Sequence, residues 1–244
     1  MHGLLYGEFM GTLVLILLGD GVVANVLLNK SKGQNSGWIV ITTGWGFGVT
    51  LGICTALACG SPFAFINPAV ALTVCILHPA NWPIFLPVCL AELAGGLVGG
   101  ILVYLAYLPH WKVTEDAGLK LGVFCTGPAI RNIPANALTE IIATTCLVVV
   151  GLTFANKGVG GATGLAAGWG PWLWGVLVWG LGLSLGGPTG YAMNPARDFG
   201  PRLAHLILPI PGKRDSDWGY ALVPIIGPLL GAVVAAGIIM GSGI

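Results

Sequence analysis

The chain has 244 residues, of which 55% are hydrophobic and only 8% are charged. This balance is typical of a protein that is surrounded by lipid. The formal net charge of +1 leaves no excess of basic residues for binding nucleic acid. The composition therefore predicts an integral membrane protein with no nucleic-acid partner.

Long apolar runs predict six membrane-spanning helices. Each run reaches the ~20 residues that a helix needs to cross the hydrocarbon layer. A membrane β-barrel would instead show segments of about ten residues with alternating polarity, which the sequence lacks. The first run has no basic start and no cleavage site, so it is interpreted as a span and not as a signal peptide. The runs cover roughly residues 4–28, 38–59, 83–106, 135–155, 168–187 and 217–240.

Two other apolar stretches, residues 67–77 and 195–208, are too short to cross a bilayer. Each follows the second span of a group of three, and an Asn-Pro-Ala tripeptide marks the start of each. Asn is a favoured N-cap and Pro a favoured first helical residue, so each tripeptide predicts the start of a half-helix. The two tripeptides are Asn67-Pro68-Ala69 and Asn194-Pro195-Ala196.

The two groups of spans are interpreted as an internal duplication. The first span of each group carries an acid, Glu8 in one and Glu140 in the other. An odd number of spans in each repeat inverts the second copy, so the half-helices enter from opposite faces and meet near the midplane. The predicted bounds are 1–244 for the single domain, 1–106 for repeat one, 107–134 for the connecting loop and 135–244 for repeat two.

The meeting point of the half-helices is predicted to be the functional site, a pore. In each tripeptide the Asn side-chain oxygen accepts backbone hydrogen bonds, which leaves the amide NH2 group free to donate. Two helix N-termini at the same depth also bring together the positive ends of two helix dipoles. Such a pore is expected to repel cations.

The paired Asn-Pro-Ala motifs, the two glutamates and Arg197 after the second motif resemble the aquaporin family of membrane channels, over essentially the whole chain. Within that family the chain resembles the glycerol facilitators, or aquaglyceroporins. The residues that carry this closer resemblance are Asp198 in the sequence NPARD, the basic Arg202, and the pair Pro224-Ile225 in the last span.

The resemblance implies an all-α membrane protein with six transmembrane helices, two re-entrant half-helices and an inverted repeat, the aquaporin fold. It implies a passive channel for glycerol, other small uncharged solutes and water that excludes ions and protons. It also implies a homotetramer in the cell membrane, with no cofactor and no enzymatic activity. Urea, dihydroxyacetone and protonated lactic acid remain open beside glycerol as solutes.

Arg197 is predicted to project into the pore. It lies three residues after Asn194, near the same helical face, and a charge inside a membrane is costly unless it faces water or a partner. The alternative is a stray buried ion. The resemblance implies a selectivity filter that Arg197 forms with Trp45 and with Tyr191, where glycerol facilitators commonly have Phe. It also implies that Gly182, which stands where water-selective relatives have His, leaves room for a three-carbon polyol.

The resemblance assigns Glu8 and Glu140 as braces, whose carboxylates accept hydrogen bonds from backbone N–H groups of the re-entrant loops. Proton coupling by these acids, which would make the protein an active transporter, is the alternative. Backbone carbonyls of both loops are expected to line the pore, and Phe65 stands where relatives often have His. These carbonyls belong to Phe63, Ala64, Phe65, Gly190, Tyr191 and Ala192.

Several other polar groups receive no pore role. Asp198 points about 100° away from Arg197 around the helix, so we expect it to support loops off the pore wall. Asp20 and Glu92 are unassigned, although Glu92 stands where the family usually has Gln. Loop 107–134 is expected to cover one vestibule as a solvated face.

The six cysteines include no CxxC pair and are interpreted as small buried apolar residues, not as metal ligands or disulfides.

A membrane enzyme is the third function class. The sequence has no nucleophile elbow, no histidine pair with metal-ligand spacing and no phosphate-binding glycine loop, so this class is not favoured.

Two signals for orientation disagree. The positive-inside rule places the termini outside the cell. The family resemblance places them in the cytoplasm, and we follow the resemblance. Only Lys157 lies on the side opposite to the other basic loop residues. Those residues are Lys30, Lys32, Lys112, Lys120, Arg131, Lys213 and Arg214.

Overall fold

The computed structural model describes residues 2–160 and 166–243, which fold into helices joined by loops and turns. A single 3-10 turn at Pro79–Asn81 precedes the fourth helix. In chain order the helices are α1 (Leu4–Leu27), α2 (Trp38–Ala58), α3 (Pro68–Leu77), α4 (Trp82–Ala106), α5 (Leu108–Val113), α6 (Ala117–Phe124), α7 (Ile133–Thr153), α8 (Lys157–Gly160), α9 (Ala166–Leu185), α10 (Pro195–Ile207) and α11 (Val223–Ser242).

The predicted all-α class is confirmed, and five helices of the described chain are long and apolar enough to cross a membrane: α1, α2, α4, α7 and α11. Helix α9 occupies the sixth predicted span and has 20 residues. Its tryptophans, glycines and Pro171 lower its mean hydropathy below that of the other five. The last span was predicted to begin at residue 217, which is wrong. Helix α11 begins at Val223, where Pro224 favours the first turn.

Helices α3 and α10 are the two predicted half-helices, and both begin at the Pro of an Asn-Pro-Ala tripeptide. The Oδ1 atom of Asn67 accepts a hydrogen bond from the Ala69 N–H at 2.9 Å. The Oδ1 atom of Asn194 accepts from the N–H groups of Ala196 at 3.0 Å and Arg197 at 3.2 Å. These bonds satisfy N–H groups that a helix start leaves without partners. Both predicted helix starts are therefore observed.

The half-helices connect the two groups of spans. Helix α1 packs on α2 and α4, and α7 packs on α9 and α11, whereas α3 packs on α11 and α10 packs on α4. Gly96 and Gly100 of α4 make the last contact possible, because a Cβ atom at Gly96 would lie 2.8 Å from the Ala196 carbonyl oxygen. Each half-helix is thus held against a span of the other group.

The connecting loop has the exposed, charged face that the sequence predicted, and it also has a buried side that the sequence did not predict. It contains α5 and α6, and the fully buried rings of Trp111 and Phe124 stack with their centroids 5.5 Å apart. The Lys120 ammonium group is also buried and donates to the Pro211 carbonyl. Two helices of six and eight residues are too short for their buried faces to show as a periodic pattern, which explains the error.

Candidate functional site

The first re-entrant loop is held by the buried carboxylate of Glu8. Its Oε1 atom accepts hydrogen bonds from the Ser61 hydroxyl at 2.5 Å and from the Phe65 N–H at 3.0 Å. Its Oε2 atom accepts from the Ile66 N–H at 2.8 Å. Glu8 is fully buried, so these three donors replace the water that a carboxylate would otherwise require.

The second loop repeats this arrangement around Glu140. Its Oε1 atom accepts from the Thr189 hydroxyl at 2.6 Å and from the Ala192 N–H at 3.0 Å, and its Oε2 atom accepts from the Met193 N–H at 2.9 Å. The side chain of Glu140 is 1% exposed. Both oxygens of each glutamate are thus occupied by loop donors.

Both loops contain non-glycine residues in the left-handed region of backbone space. Ala64 and Ile66 have φ values of 48° and 44°, and Tyr191 and Met193 have φ values of 41° and 49°. Such residues are uncommon and persist only where surrounding contacts fix them. The hydrogen bonds to Glu8 provide such contacts for the first loop, and those to Glu140 do so for the second.

The two capping asparagines join the loops to each other. The Nδ2 atom of Asn67 donates to the Met193 carbonyl at 2.9 Å, and the Nδ2 atom of Asn194 donates to the Ile66 carbonyl at 2.7 Å. The sequence predicts that both NH2 groups are free to donate to the pore, which is wrong for one hydrogen of each. The second hydrogen of each amide has no acceptor among the described residues.

Three cavities follow one another through the helices. The first has a volume of about 550 Å³ and shares Phe63 and Val74 with the second, of about 320 Å³. The second shares Asn67 and Asn194 with the third, of about 40 Å³. The third cavity is the smallest of the three and is therefore the constriction of this path.

Three side chains expected in the filter meet at the constriction. Trp45, Tyr191 and Arg197 all line the third cavity. The Arg197 guanidinium carbon lies 3.9 Å from the centroid of the Trp45 ring, a cation–π contact. Trp38, which the sequence analysis did not single out, packs edge-on against Tyr191 with ring centroids 5.7 Å apart. Its indole N–H donates to the Gly182 carbonyl at 2.9 Å.

Gly182 does not leave unoccupied space for a solute in the filter, contrary to the sequence-based expectation. A Cβ atom built on Gly182 would lie 2.7 Å from Cζ and 2.9 Å from Oη of Tyr191. The Tyr191 ring therefore occupies the space that a side chain at position 182 would need. Gly182 also does not line the third cavity. Its contribution to the constriction is indirect, because it makes room for the ring.

The predicted carbonyl-lining residues divide between the cavities. Phe63, Ala64 and Phe65 line the second cavity, and Tyr191 and Ala192 line the third. Gly190 borders none of the three, and its N–H donates to the Gly186 carbonyl at 2.8 Å.

Asp198 and Arg202 form a buried ion pair behind the pore wall. The Nε and Nη2 atoms of Arg202 lie 2.8 and 2.7 Å from Oδ1 of Asp198. The other carboxylate oxygen accepts from the N–H and hydroxyl of Thr126, while Arg202 Nη1 donates to the Ser216 and Asp217 carbonyls. The pair therefore binds the connecting loop to the loop before α11, as expected for Asp198.

The sequence did not assign a role to two further acids, Asp20 and Glu92, and both are fully buried. Oδ1 of Asp20 lies 3.7 Å from Nη1 of Arg197, and neither carboxylate oxygen has a hydrogen-bond partner among the described residues. Oε1 of Glu92 accepts the Asn67 N–H at 2.9 Å, and Oε2 has no partner within the described chain. Both acids thus adjoin pore residues.

The six cysteines differ in their exposure. Cys75 and Cys125 are buried as expected, whereas Cys54 is exposed, contrary to the prediction. Cys125 lies in the connecting loop, and burial raises the pKa of its thiol. Among the residues the structure describes, no three His, Cys, Asp or Glu side chains could hold a metal ion together.

Comparisons with known proteins agree with this geometry. A family model described as major intrinsic protein matches residues 3–239. The chain is 57% identical over 231 residues to a probable glycerol uptake facilitator protein of Thermotoga maritima, with 94% of each chain covered. It is 40% identical over 240 residues to a D/L-lactic acid transporter of Lactiplantibacillus plantarum, covering 95% of this chain and 94% of that one. The X-ray structure of the aquaglyceroporin from Plasmodium falciparum matches with a TM-score of 0.83 and 26% identity, over 96% of this chain and 93% of that one.

Proposed function

Because the chain belongs to the major intrinsic protein family, we propose that it conducts glycerol, other small uncharged solutes and water passively across a membrane and excludes ions and protons. The protein is a membrane channel and not an enzyme. The glycerol facilitator among its relatives supports the choice of solute.

The observation that carries this proposal is the two-sided wall of the constriction. Trp45 and Tyr191 supply aromatic surface, and the Arg197 guanidinium supplies N–H donors beside them. A polyol has a carbon side and a hydroxyl side, so the rings bind the first and the guanidinium binds the second. The volume of about 40 Å³ supports passage in single file.

Exclusion of cations follows from the charges along the path. Two half-helix N-termini direct positive partial charge toward the constriction, and Arg197 presents N–H donors there. The unshared amide hydrogens of Asn67 and Asn194 hold a central water by its oxygen, which interrupts proton transfer along a file of water. Glu8 and Glu140 act as loop braces, because all their oxygens are already hydrogen-bonded.

We assign residues 1–106 and 135–244 as inverted repeats of one channel domain, joined by 107–134. The matching hydrogen bonds around Glu8 and Glu140 support this assignment.

With the filter on the outer side of the cell membrane, the termini are cytoplasmic. Thiol labelling of single-cysteine variants at either terminus in intact cells tests the orientation.

Three of the seven basic residues on the filter side have structural partners, which weakens their value as a topology signal. Lys120 donates to the Pro211 carbonyl, and Arg131 pairs with Asp217. Lys213 donates to three carbonyls at the end of α10. These side chains are needed there whichever way the chain is inserted.

We further propose a homotetramer with one pore in each subunit. Gly21 on α1 and Gly180 on α9 face open space, where an added Cβ would meet no atom within 4 Å. Small residues on membrane helices allow helices of neighbouring subunits to approach closely. Native mass spectrometry of the purified protein tests this state.

Solute choice is tested with purified protein in liposomes. Stopped-flow light scattering with glycerol, urea, dihydroxyacetone and lactic acid measures the permeability for each solute. The proposal expects rapid re-swelling with glycerol. Lactic acid is expected to enter in its neutral form, so at constant total acid its uptake falls as pH rises. Protein-containing vesicles that match empty liposomes for every solute would refute the proposal.

A further inference from the structure

Asp20 differs from the other buried acids of the pore region in its partners. Glu8 and Glu140 each have both carboxylate oxygens occupied by loop donors. Asp20 has no hydrogen bond from any described residue, and its side chain is 0% exposed. Its only opposite charge within ion-pair distance in the described chain is Arg197, at 3.7 Å. Since a buried charge is stable only with a partner, Arg197 accounts for the burial of Asp20.

Arg197 is in turn held on two sides. The guanidinium lies over the Trp45 ring, and its Nη1 atom, which faces Asp20, is buried without a hydrogen bond. The other nearby acid, Asp198, is already bound by Arg202 and Thr126. Asp20 is thus the acid that is available to offset the charge of Arg197.

The internal duplication provides a comparison for this ion pair. Glu8 and Glu140 are 132 positions apart, so the counterpart of Asp20 in the second group of helices is Leu152. Asn67 and Asn194 are 127 positions apart, so the counterpart of Arg197 is Val70. Val70 and Leu152 belong to one apolar cluster. The pair Asp20 and Arg197 is therefore charged at one end of the pore, whereas the corresponding pair at the other end, Leu152 and Val70, is apolar.

We propose that Asp20 is a specificity-determining residue of the constriction, which acts through Arg197. It fixes the guanidinium against Trp45 and offsets its charge, so the remaining N–H donors face the solute path. Without Asp20 the guanidinium turns toward acceptors of the second loop and narrows the constriction, which hinders glycerol more than water. This inference rests on the proposed glycerol conduction.

The test is a double-mutant cycle on Asp20→Asn, Arg197→Gln and the double variant, read as the glycerol-to-water permeability ratio in liposomes. Asp20→Asn is expected to lower the ratio about threefold to tenfold. In the Arg197→Gln background the same change is expected to alter it by at most about twofold. Equal effects in both backgrounds would overturn the proposal, because a purely structural role would not depend on Arg197. Asp215→Asn, which removes an exposed carboxylate from the loop before α11, is the matched control and keeps the wild-type ratio.

Wild-type flux separates the two hypotheses, because a wild type without glycerol flux refutes the proposed function itself. If Asp20→Asn does not fold, thermal stability replaces flux, using Asp20→Leu, Arg197→Val and their combination. The combination places at positions 20 and 197 the residue types of their counterparts Leu152 and Val70, and it leaves no unpaired charge. It is expected to be more stable than either single variant, whereas a stability loss equal to the sum of the two would overturn the proposal.

Discussion

Asn67 and Asn194 each donate a side-chain N–H to the carbonyl of the residue that precedes the other, at 2.9 Å to Met193 and 2.7 Å to Ile66. Each asparagine therefore caps its own half-helix and binds the opposite loop. Because the same two amides also border the narrow part of the pore, the contact that joins the half-helices fixes the geometry of the solute path.

Asn194→Asp is expected to separate these two roles. The carboxylate keeps an oxygen for the N–H groups of Ala196 and Arg197 but loses the donor to the Ile66 carbonyl. A buried carbonyl without a donor costs about 1–3 kcal/mol, so the thermal midpoint in detergent falls. The same substitution at Asn132, which caps α7 through Ala135, is the control. A loss of equal size at Asn132 would show that the cross-link contributes nothing.

Gly182→His is expected to disrupt the filter unless Tyr191 is shortened as well. The imidazole has no space beside the Tyr191 ring, so the single variant loses flux for glycerol and water together. In Gly182→His with Tyr191→Ala, the imidazole fits the vacated space but replaces aromatic surface with a polar ring, so the carbon side of glycerol loses a contact. Water is expected to pass, while the glycerol-to-water ratio falls by about tenfold, or about 1.4 kcal/mol.

Leu183→Phe, on the exposed face of the same helix, is the control for that experiment and keeps the wild-type ratio. A folded double variant with an unchanged ratio would mean that neither position controls the solute preference of the constriction. Paired water and glycerol measurements on the same vesicles remove differences in protein amount.

Glu8→Gln is expected to lower the thermal stability more than Glu92→Gln, although both replace a buried carboxyl group with an amide. In Glu8→Gln the new NH2 group faces backbone or hydroxyl donors, so at least one acceptor is lost at a cost of about 1–3 kcal/mol. In Glu92→Gln the oxygen keeps the Asn67 N–H, and the NH2 group replaces an oxygen that has no hydrogen-bond partner among the described residues. Thermal unfolding in detergent compares them. Equal destabilisation would contradict this difference.

Arg202→Lys is expected to open the connecting loop. Lysine lacks the forked donors with which Arg202 reaches Asp198, Ser216 and Thr126 together. Cys125, next to Thr126, then becomes accessible to maleimide. Peptide mass spectrometry after labelling at neutral pH measures the rate at this thiol. A labelling rate at Cys125 equal to that of the wild type would show that the arginine does not hold the loop closed.

The sequence predicted the elements that depend on local pattern. Apolar runs of spanning length and the two Asn-Pro-Ala tripeptides placed most helices within two residues of their observed ends. The loop-bracing geometry of Glu8 and Glu140 also agrees with what the family resemblance implied.

The sequence could not predict contacts between residues that are distant along the chain. The Tyr191 ring beside Gly182 and the Asp20 carboxylate beside Arg197 depend on how the spans pack, and no local pattern encodes that packing. A comparison of the two repeats could have identified Asp20, because the corresponding residue of the second repeat is Leu152, which has no charge. The buried side of the connecting loop was missed because its helices are short.

The most direct test of passive conduction is the equilibrium level of radiolabelled glycerol in proteoliposomes, with and without imposed sodium and proton gradients. A channel with all oxygens of Glu8 and Glu140 committed to loop hydrogen bonds has no group there to couple transport to ions. We predict that internal glycerol rises quickly to the external concentration and stops there, whatever the gradient. Accumulation above the external concentration, driven by either gradient, would contradict the account.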